Sequence, residues 1–315
     1  PVILVLDAAH SSRTVAAGAH GLATHPDAPR VGGVIVNRVG SPRAEAEVLD
    51  ALAGVGLPVL GTLPRSASLT VPSRHLGLVP AAERDQARAV VEAAASLVAG
   101  HIDLDAVLAV AASAGELTAE PWDPSSVVTE VLGRPRVAVA AGRAFTFRYA
   151  ETTELLEATG CEIVEFDPVT APALPPGTAA LYLGGGFPEV YAHDLARNVP
   201  LRADVAAAVA SGLPTVAECA GLLYLARSLD GEPMAGALPI EARMSPRLTM
   251  GYGEAAPDAD SVVARRGEPV RFHAFHRTVV DPPDADPTLS ATLHASYQHV
   301  HWAGHPQLAQ RLADA

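Results

Sequence analysis

The sequence predicts an α/β protein with two parallel-sheet domains. In the first part of the chain, apolar runs rich in β-branched residues alternate with helix-like segments, as parallel strands joined by helices do. Residues 114–135 are polar and contain three prolines, which predicts a linker. The alternation begins again at residue 136. A chain of 315 residues is long enough for two domains, and we expect them over 1–113 and 136–315.

The first domain is expected to alternate strands with helices. The predicted strands are 2–7, 33–37 and 59–63. The predicted helices are 12–22, 44–53, 84–98 and 103–112. The opening residues, PVILVLDAAHSS, are apolar enough for a central strand. Because a domain rarely starts in the middle of its sheet, we expect a further segment to precede Pro1.

The second domain is expected to repeat this alternation and then to change character. The predicted strands are 136–140, 162–166, 180–183 and 213–217. The predicted helices are 151–159, 199–211 and one that follows Cys219. Residues 240–302 favour β-hairpins and irregular loops, with DPPDADP as a proline-rich turn.

Cys219 lies in the most informative stretch, LPTVAECAGLLYL at 213–225. The pattern predicts an apolar strand, a tight turn at Cys219 and an apolar helix. At a helix N-terminus the unpaired N–H groups and the helix dipole favour a thiolate, so Cys219 is a candidate nucleophile. The alternative is a buried structural cysteine, which is common.

A second motif, AALYLGGGFPE at 179–189, runs from a strand into three consecutive glycines. Glycines let backbone N–H groups approach a ligand closely, which suits an oxyanion hole. The alternative is an ordinary glycine turn. The two motifs together favour nucleophilic chemistry.

Several stretches resemble the cobyrinic acid a,c-diamide synthase family, which includes the hydrogenobyrinic acid a,c-diamide synthases of the aerobic pathway. In the second half they are LYLGGGFPE, AECAGLLYL, MSPRLTMGYGEA, FHAFHRT and SYQHVHWA. In the first half they are VGGVIVNRVGS, LPVLGTLPR and VPSRHLGLVPAAE. The resemblance implies an incomplete P-loop-type, dethiobiotin-synthetase-like domain followed by a class I glutamine amidotransferase-like domain. It also implies glutamine- and ATP-dependent amidation of the a and c carboxylates of (hydrogeno)cobyrinic acid in cobalamin biosynthesis.

The resemblance assigns roles in the second half residue by residue. Cys219 is the nucleophile, and backbone N–H groups at Gly185, Gly186 and Ala220 are the oxyanion-hole candidates; relatives usually have glycine where this chain has Ala220. Tyr297-Gln298-His299 matches the setting of the family's base, so His299 is our choice. His301, expected on the same strand face, falls where many relatives carry the orienting acid and is the alternative base. His273 and His276 belong to a family stretch in which Ala274 replaces a glutamate.

The first half is expected to bind ATP and Mg²⁺, without a prosthetic group. By the resemblance, Asn37 reads the adenine base and Asp7 lies near the nucleotide and metal; the alternatives are a turn-capping Asn and a helix-capping Asp. All 22 basic residues are Arg, so no Lys can complete a P-loop, and we expect this chain alone to retain only glutaminase activity. His75 resembles the family without a role that we can derive.

Composition limits the partners. A net charge of −13 argues against nucleic acid, and no apolar run approaches the length of a membrane span. Cys161 and Cys219 indicate no disulfide framework, which fits a cytoplasmic protein. The expected partners are L-glutamine and a corrin carboxylic acid, and a homodimer is left open. The alternatives are a cobyric acid synthase-like amidotransferase and a non-catalytic corrinoid- or partner-binding relative.

Overall fold

The computed structural model describes residues 1–69, 73–74, 77–78 and 87–315. The described residues form two compact units. One contains the residues up to 69 together with 87–120, and the other contains 73–74, 77–78 and everything from 121 onward.

The first unit carries a parallel sheet in the order β1-β2-β3. Its elements are β1 (Val2–Asp7), α1 (Thr14–Thr24), β2 (Val31–Val39), α2 (Pro42–Ala53), β3 (Val59–Pro64), α3 (Ala87–His101) and α4 (Leu104–Ala112), with a 3₁₀ turn at Ala67–Leu69. Helix α2 begins at a favourable cap, because the Ser41 side chain accepts the Ala44 N–H and Pro42 occupies the first turn. The predicted alternation of strands and helices in this half is confirmed.

Strand β1 is paired on one side in the described part of the sheet. Among the residues that the structure describes it pairs with β2 alone, and its expected central position stays a prediction. Leu6 packs into the apolar cluster formed with α1 and α2, whereas Val5 points to the other face and is 63% exposed. Strand β1 is thus apolar along most of its length but, among the described residues, is buried mainly on one face.

The second unit contains a larger sheet in the order β14-β15-β9-β8-β6-β7. Its elements are β4 (Ser73–Arg74), β5 (Gly77–Leu78), β6 (Arg136–Ala140), α5 (Ala150–Ala158), β7 (Glu162–Phe166), β8 (Thr178–Leu183), α6 (Ala192–Arg197), α7 (Val199–Ala210), β9 (Thr215–Glu218), α8 (Ala220–Leu225), β10 (Ser228–Leu229), β11 (Glu232–Pro233), β12 (Glu241–Ala255), β13 (Val270–Asp281), β14 (Thr288–Ser290), β15 (Leu293–Ser296), β16 (His299–Val300) and α9 (Gln307–Asp314). Strands β7, β6, β8, β9 and β15 are parallel, which confirms the predicted α/β class.

Apolar clusters cover both faces of this sheet. In β8, Leu181 and Leu183 point into a cluster with α7 and α8, while Ala180 and Tyr182 point into a cluster with α5 and α9. The region predicted as a linker contributes to the second cluster, because Val128 and Val131 pack against it. The apolar core therefore lies on both faces of the sheet that carries Cys219.

The hairpin region predicted at 240–302 is largely one long ribbon. Strand β12 pairs antiparallel with β13, and β13 pairs with the two-residue strand β16, where His273 lies opposite His299. Strand β15 leaves this region and joins the large sheet beside β9, with Ser296 opposite Glu218. The ends of β9 and β16 are thereby brought to one place, although the two strands are far apart in sequence.

Candidate active site

Cys219 occupies a strained turn between β9 and α8. Its φ is 50° and its ψ is −95°, in a region that residues other than glycine rarely adopt, and its N–H donates to the Ser296 carbonyl at 2.8 Å. A Cβ added to Gly221 would lie 2.3 Å from the Leu183 carbonyl oxygen, so the turn requires glycine there. The predicted position of Cys219 at the start of the helix is confirmed.

The expectation that the helix terminus makes Cys219 a thiolate is wrong. Burial raises the pKa of the Cys219 thiol to about 12, and the nearby Glu189 carboxylate adds to this shift. The Ala220 N–H, bonded to the sulfur, lowers the pKa by less. Helix α8 is only six residues long, so its dipole is small. The resting side chain is therefore a neutral thiol.

His299 lies at the start of β16 and is almost fully buried, with 4% of its surface exposed. Its ring stacks on His273 at a centroid distance of 4.8 Å and meets the edge of Phe147 at 5.0 Å. Burial, followed by the neighbouring His273 and His276, lowers the pKa of His299 to about 3. The imidazole is thus neutral at physiological pH and able to accept a proton.

Glu218 is a buried carboxyl that sequence reasoning missed. Its Oε2 lies 3.9 Å from His299 Nδ1 and accepts a hydrogen bond from the Tyr182 hydroxyl at 3.0 Å. Burial raises the pKa of Glu218 to about 7, while the hydroxyl, the Trp302 indole and the Val300 amide act in the opposite direction. The available sequence signal is a single charged residue in an otherwise apolar strand.

The three glycines allow close approach of the protein's own groups. A Cβ on Gly185 would lie 2.6 Å from His299 Cε1, and a Cβ on Gly186 would lie 2.1 Å from the Ala144 carbonyl oxygen. The Gly185 N–H donates to the Phe147 carbonyl at 2.9 Å, so it is occupied. No protein acceptor within the described residues takes the Gly186 N–H. Ala220 has no positive φ, and its methyl group is tolerated.

Cys219, His299 and Gly186 line one cavity of about 340 Å³, within the range of small-molecule sites. The other lining residues are mostly aromatic or histidine: Thr146, Phe147, Phe187, His273 and Phe275. The cavity therefore joins a buried thiol, a neutral imidazole and a free backbone donor in a largely apolar enclosure.

The structure places His301 outside this cavity. Strand β16 ends at Val300, so His301 does not share a strand face with His299. Its side chain is half-exposed; Nε2 lies 3.6 Å from the Glu151 carboxylate and the ring packs on Tyr149. His276 also turns away, because its Nδ1 bonds the Thr278 carbonyl and its ring stacks on Tyr297.

In the first unit, Asp7 and Asn37 end neighbouring parallel strands, where α/β sheets commonly bind ligands. The Arg38 guanidinium forms a two-point ion pair with Asp7 and lowers the pKa of that carboxyl to about 2. The Asn37 side-chain oxygen accepts the Arg38 N–H at 2.9 Å. His75 lies outside the described residues.

The described residues provide neither a metal-binding cluster nor a membrane-spanning helix. No cluster of three or more His, Cys, Asp or Glu side chains there is arranged to hold a metal ion. No helix there combines the length and apolar character that crossing a membrane requires.

Comparison with known proteins agrees with this geometry. Residues 136–307 match the model of the CobB/CobQ-like glutamine amidotransferase domain. Hydrogenobyrinate a,c-diamide synthase of Thermobifida fusca is 51% identical, over 100% of this chain and 72% of that protein. The Streptomyces coelicolor enzyme of the same name is 45% identical, over 100% and 74%. Cobyrinate a,c-diamide synthase of a Synechococcus species is 35% identical, over 100% and 74%. The chain belongs to the hydrogenobyrinate and cobyrinate a,c-diamide synthase family.

Proposed function

We propose that this chain releases ammonia from glutamine with Cys219 and His299, for amidation of the a and c carboxylates of hydrogenobyrinate. The observation that carries the proposal is the shared cavity that Cys219, His299 and Gly186 line. Hydrogenobyrinate is favoured over cobyrinate because the relatives at 51% and 45% identity bear the former name and the relative at 35% bears the latter.

The reaction begins with both groups neutral. When glutamine fills the cavity, His299 takes the Cys219 proton and the sulfur attacks the side-chain amide carbon of the substrate. The negative charge moves to the amide oxygen, which accepts hydrogen bonds from the Gly186 and Ala220 N–H groups. His299 then gives its proton to the departing nitrogen, and the C–N bond breaks to leave ammonia and a glutamyl thioester.

Water completes the cycle. His299 removes a proton from water, and the hydroxide attacks the thioester carbonyl. The C–S bond then breaks, glutamate is released, and His299 returns its proton to the sulfur to restore the thiol. The pKa shifts of Cys219 and His299 keep both groups uncharged without substrate. Proton transfer from Cys219 to His299 is therefore favoured only as the substrate's oxyanion forms. Without substrate, Cys219 remains a poorly reactive thiol.

We further propose that Asp7 and Asn37 of the first unit contact ATP and Mg²⁺. The Asp7 carboxylate stays ionised and half-exposed, and the Asn37 amide N–H₂ can still donate to a base. When bound, ATP would supply the activation of the substrate carboxylates. In this chain Arg38 must leave Asp7 before that carboxylate can face a cation. The two unpaired cysteines support a cytoplasmic location as part of the proposal.

Covalent labelling tests the nucleophile. Diazo-oxo-norleucine, an electrophilic glutamine analogue, should alkylate Cys219 and should block glutaminase turnover. Because every basic residue is Arg, trypsin separates the cysteines onto peptides 203–227 and 149–197. Cys161→Ser, the matched control, should label as the wild type does. Label on Cys161 alone would contradict the proposal.

A further inference from the structure

We propose that Glu218 is the positioning residue for His299: its carboxylate accepts the His299 Nδ1–H, which leaves Nε2 to exchange the proton with Cys219. This inference rests on the proposed function, since it assigns the partner of the proposed base. The acid would then come from the strand that carries the nucleophile, immediately before Cys219 in the chain.

Strand alternation places Glu218 on the correct face. Ala217 packs with α8 in one cluster, whereas Val216 packs with Tyr182, Trp302 and Val300 in the other. Because residues two apart share a face, Glu218 belongs with Val216 and these neighbours. The Tyr182 hydroxyl then fixes one carboxylate oxygen at 3.0 Å. Glu218 is thus held against the segment that begins with His299.

The opposing atom on His299 is unsatisfied. Nδ1 is buried and has no hydrogen-bond partner among the described residues. A buried donor without a partner is unfavourable, and the carboxylate oxygen at 3.9 Å is slightly too distant for a hydrogen bond. A small ring rotation closes this gap when His299 takes a proton and the ion pair forms.

Glu218 is the carboxylate that lies within ion-pair distance of His299. Tyr182 donates to Glu218, and the stacked His273 has its own partner in the Tyr149 hydroxyl at 3.2 Å. The charged and titratable groups that act on the pair or on its neighbours are Tyr182 on β8, Tyr149 and Arg148 before α5, His273 and the more distant His276 on β13, Cys219, and Glu189 beside Cys219. Below its pKa of about 7 the Glu218 carboxyl is protonated and cannot stabilise an imidazolium. Turnover should therefore rise with pH through this value.

Glu218→Gln keeps the size of the side chain and removes its charge. We expect kcat for glutamine hydrolysis to fall about 10- to 100-fold, less than removal of the base itself, with little change in KM. We also expect the rise of activity near pH 7 to disappear. Glu218→Asp should restore part of kcat, and Tyr182→Phe, which removes only the hydroxyl, should keep the pH-dependent rise.

Wild-type kcat with the rise near pH 7 intact in Glu218→Gln would overturn the inference. If this variant does not fold, ¹⁵N NMR of wild-type His299 decides the point: the neutral ring should carry its proton on Nδ1, and a proton on Nε2 would exclude the assignment. Failure of wild-type labelling at Cys219 would instead refute the proposed function. The two failures are therefore distinguishable.

Discussion

Gly185→Ala tests the packing of the proposed base directly. The added Cβ would lie 2.6 Å from His299 Cε1 and 3.1 Å from Phe147 Cδ1. Carbon atoms in contact are about 3.5–4.0 Å apart, so the imidazole must retreat by roughly 1 Å. A displacement of that size at a reacting group lowers turnover on the order of 10²-fold. The neighbours are side chains, so we expect a stability loss of only about 1–3 kcal/mol.

The assay is glutaminase turnover beside thermal unfolding of the same preparations. Gly304→Ala is the matched control, because an added Cβ there meets nothing within 4 Å and the backbone tolerates alanine. It should retain wild-type turnover and stability. A Gly185→Ala enzyme with wild-type kcat would refute the assignment of His299 as a closely packed base. Equal loss of turnover and of folded protein would show that the substitution acts only through the fold.

Three further outcomes follow from the same structure. His301→Ala should reduce glutamine turnover only a few-fold in the kinetic assay, because its half-exposed ring faces Glu151; a loss of about 10²-fold or more would make His301 the base. The free energy of unfolding, measured by denaturant titration, should fall as pH drops from about 6.5 toward 4. Burial lowers the pKa values of His294 and His299 to about 4 and about 3, so both rings accept protons more readily in the unfolded chain. A constant free energy of unfolding over this range would contradict their burial. Glu218→Gln should unfold at a higher temperature than the wild type at pH 8 but not at pH 4. The raised pKa of this carboxyl means that its ionised form, which appears as pH rises through about 7, destabilises the wild type. Equal melting temperatures at pH 8 would contradict that shift.

Local sequence signals predict the fold and the position of Cys219 between a strand and a helix well. The apolar segments predict β1, β6 and β7 at their observed bounds. The predictions for β2, β3, β8 and β9 differ from the observed strands by a few residues at their ends. The position of Cys219 can be predicted because the strand, the turn and the helix around it are contiguous in the sequence. The three glycines are recognised as a close-approach site for the same reason.

The ionisation of the site is not a local property. The thiol of Cys219 is neutral because tertiary packing buries it beside Glu189, and no helix-terminus argument reveals that burial. Glu218 and His299 meet because β15 returns to pair with β9 and β16 follows directly. The sequence does not reveal that long-range pairing, and the family resemblance instead aligns the orienting acid of the relatives with position 301.

The joint action of Cys219 and His299 is measured most directly by a double-mutant cycle on glutamine hydrolysis. Cys219→Ala and His299→Ala should each remove most of the turnover, and the double variant should be little worse than either, because a nucleophile and its base act as one unit. Losses that multiply in the double variant, or an His299→Ala enzyme with near wild-type kcat, would show that the two residues act independently and would contradict the mechanism.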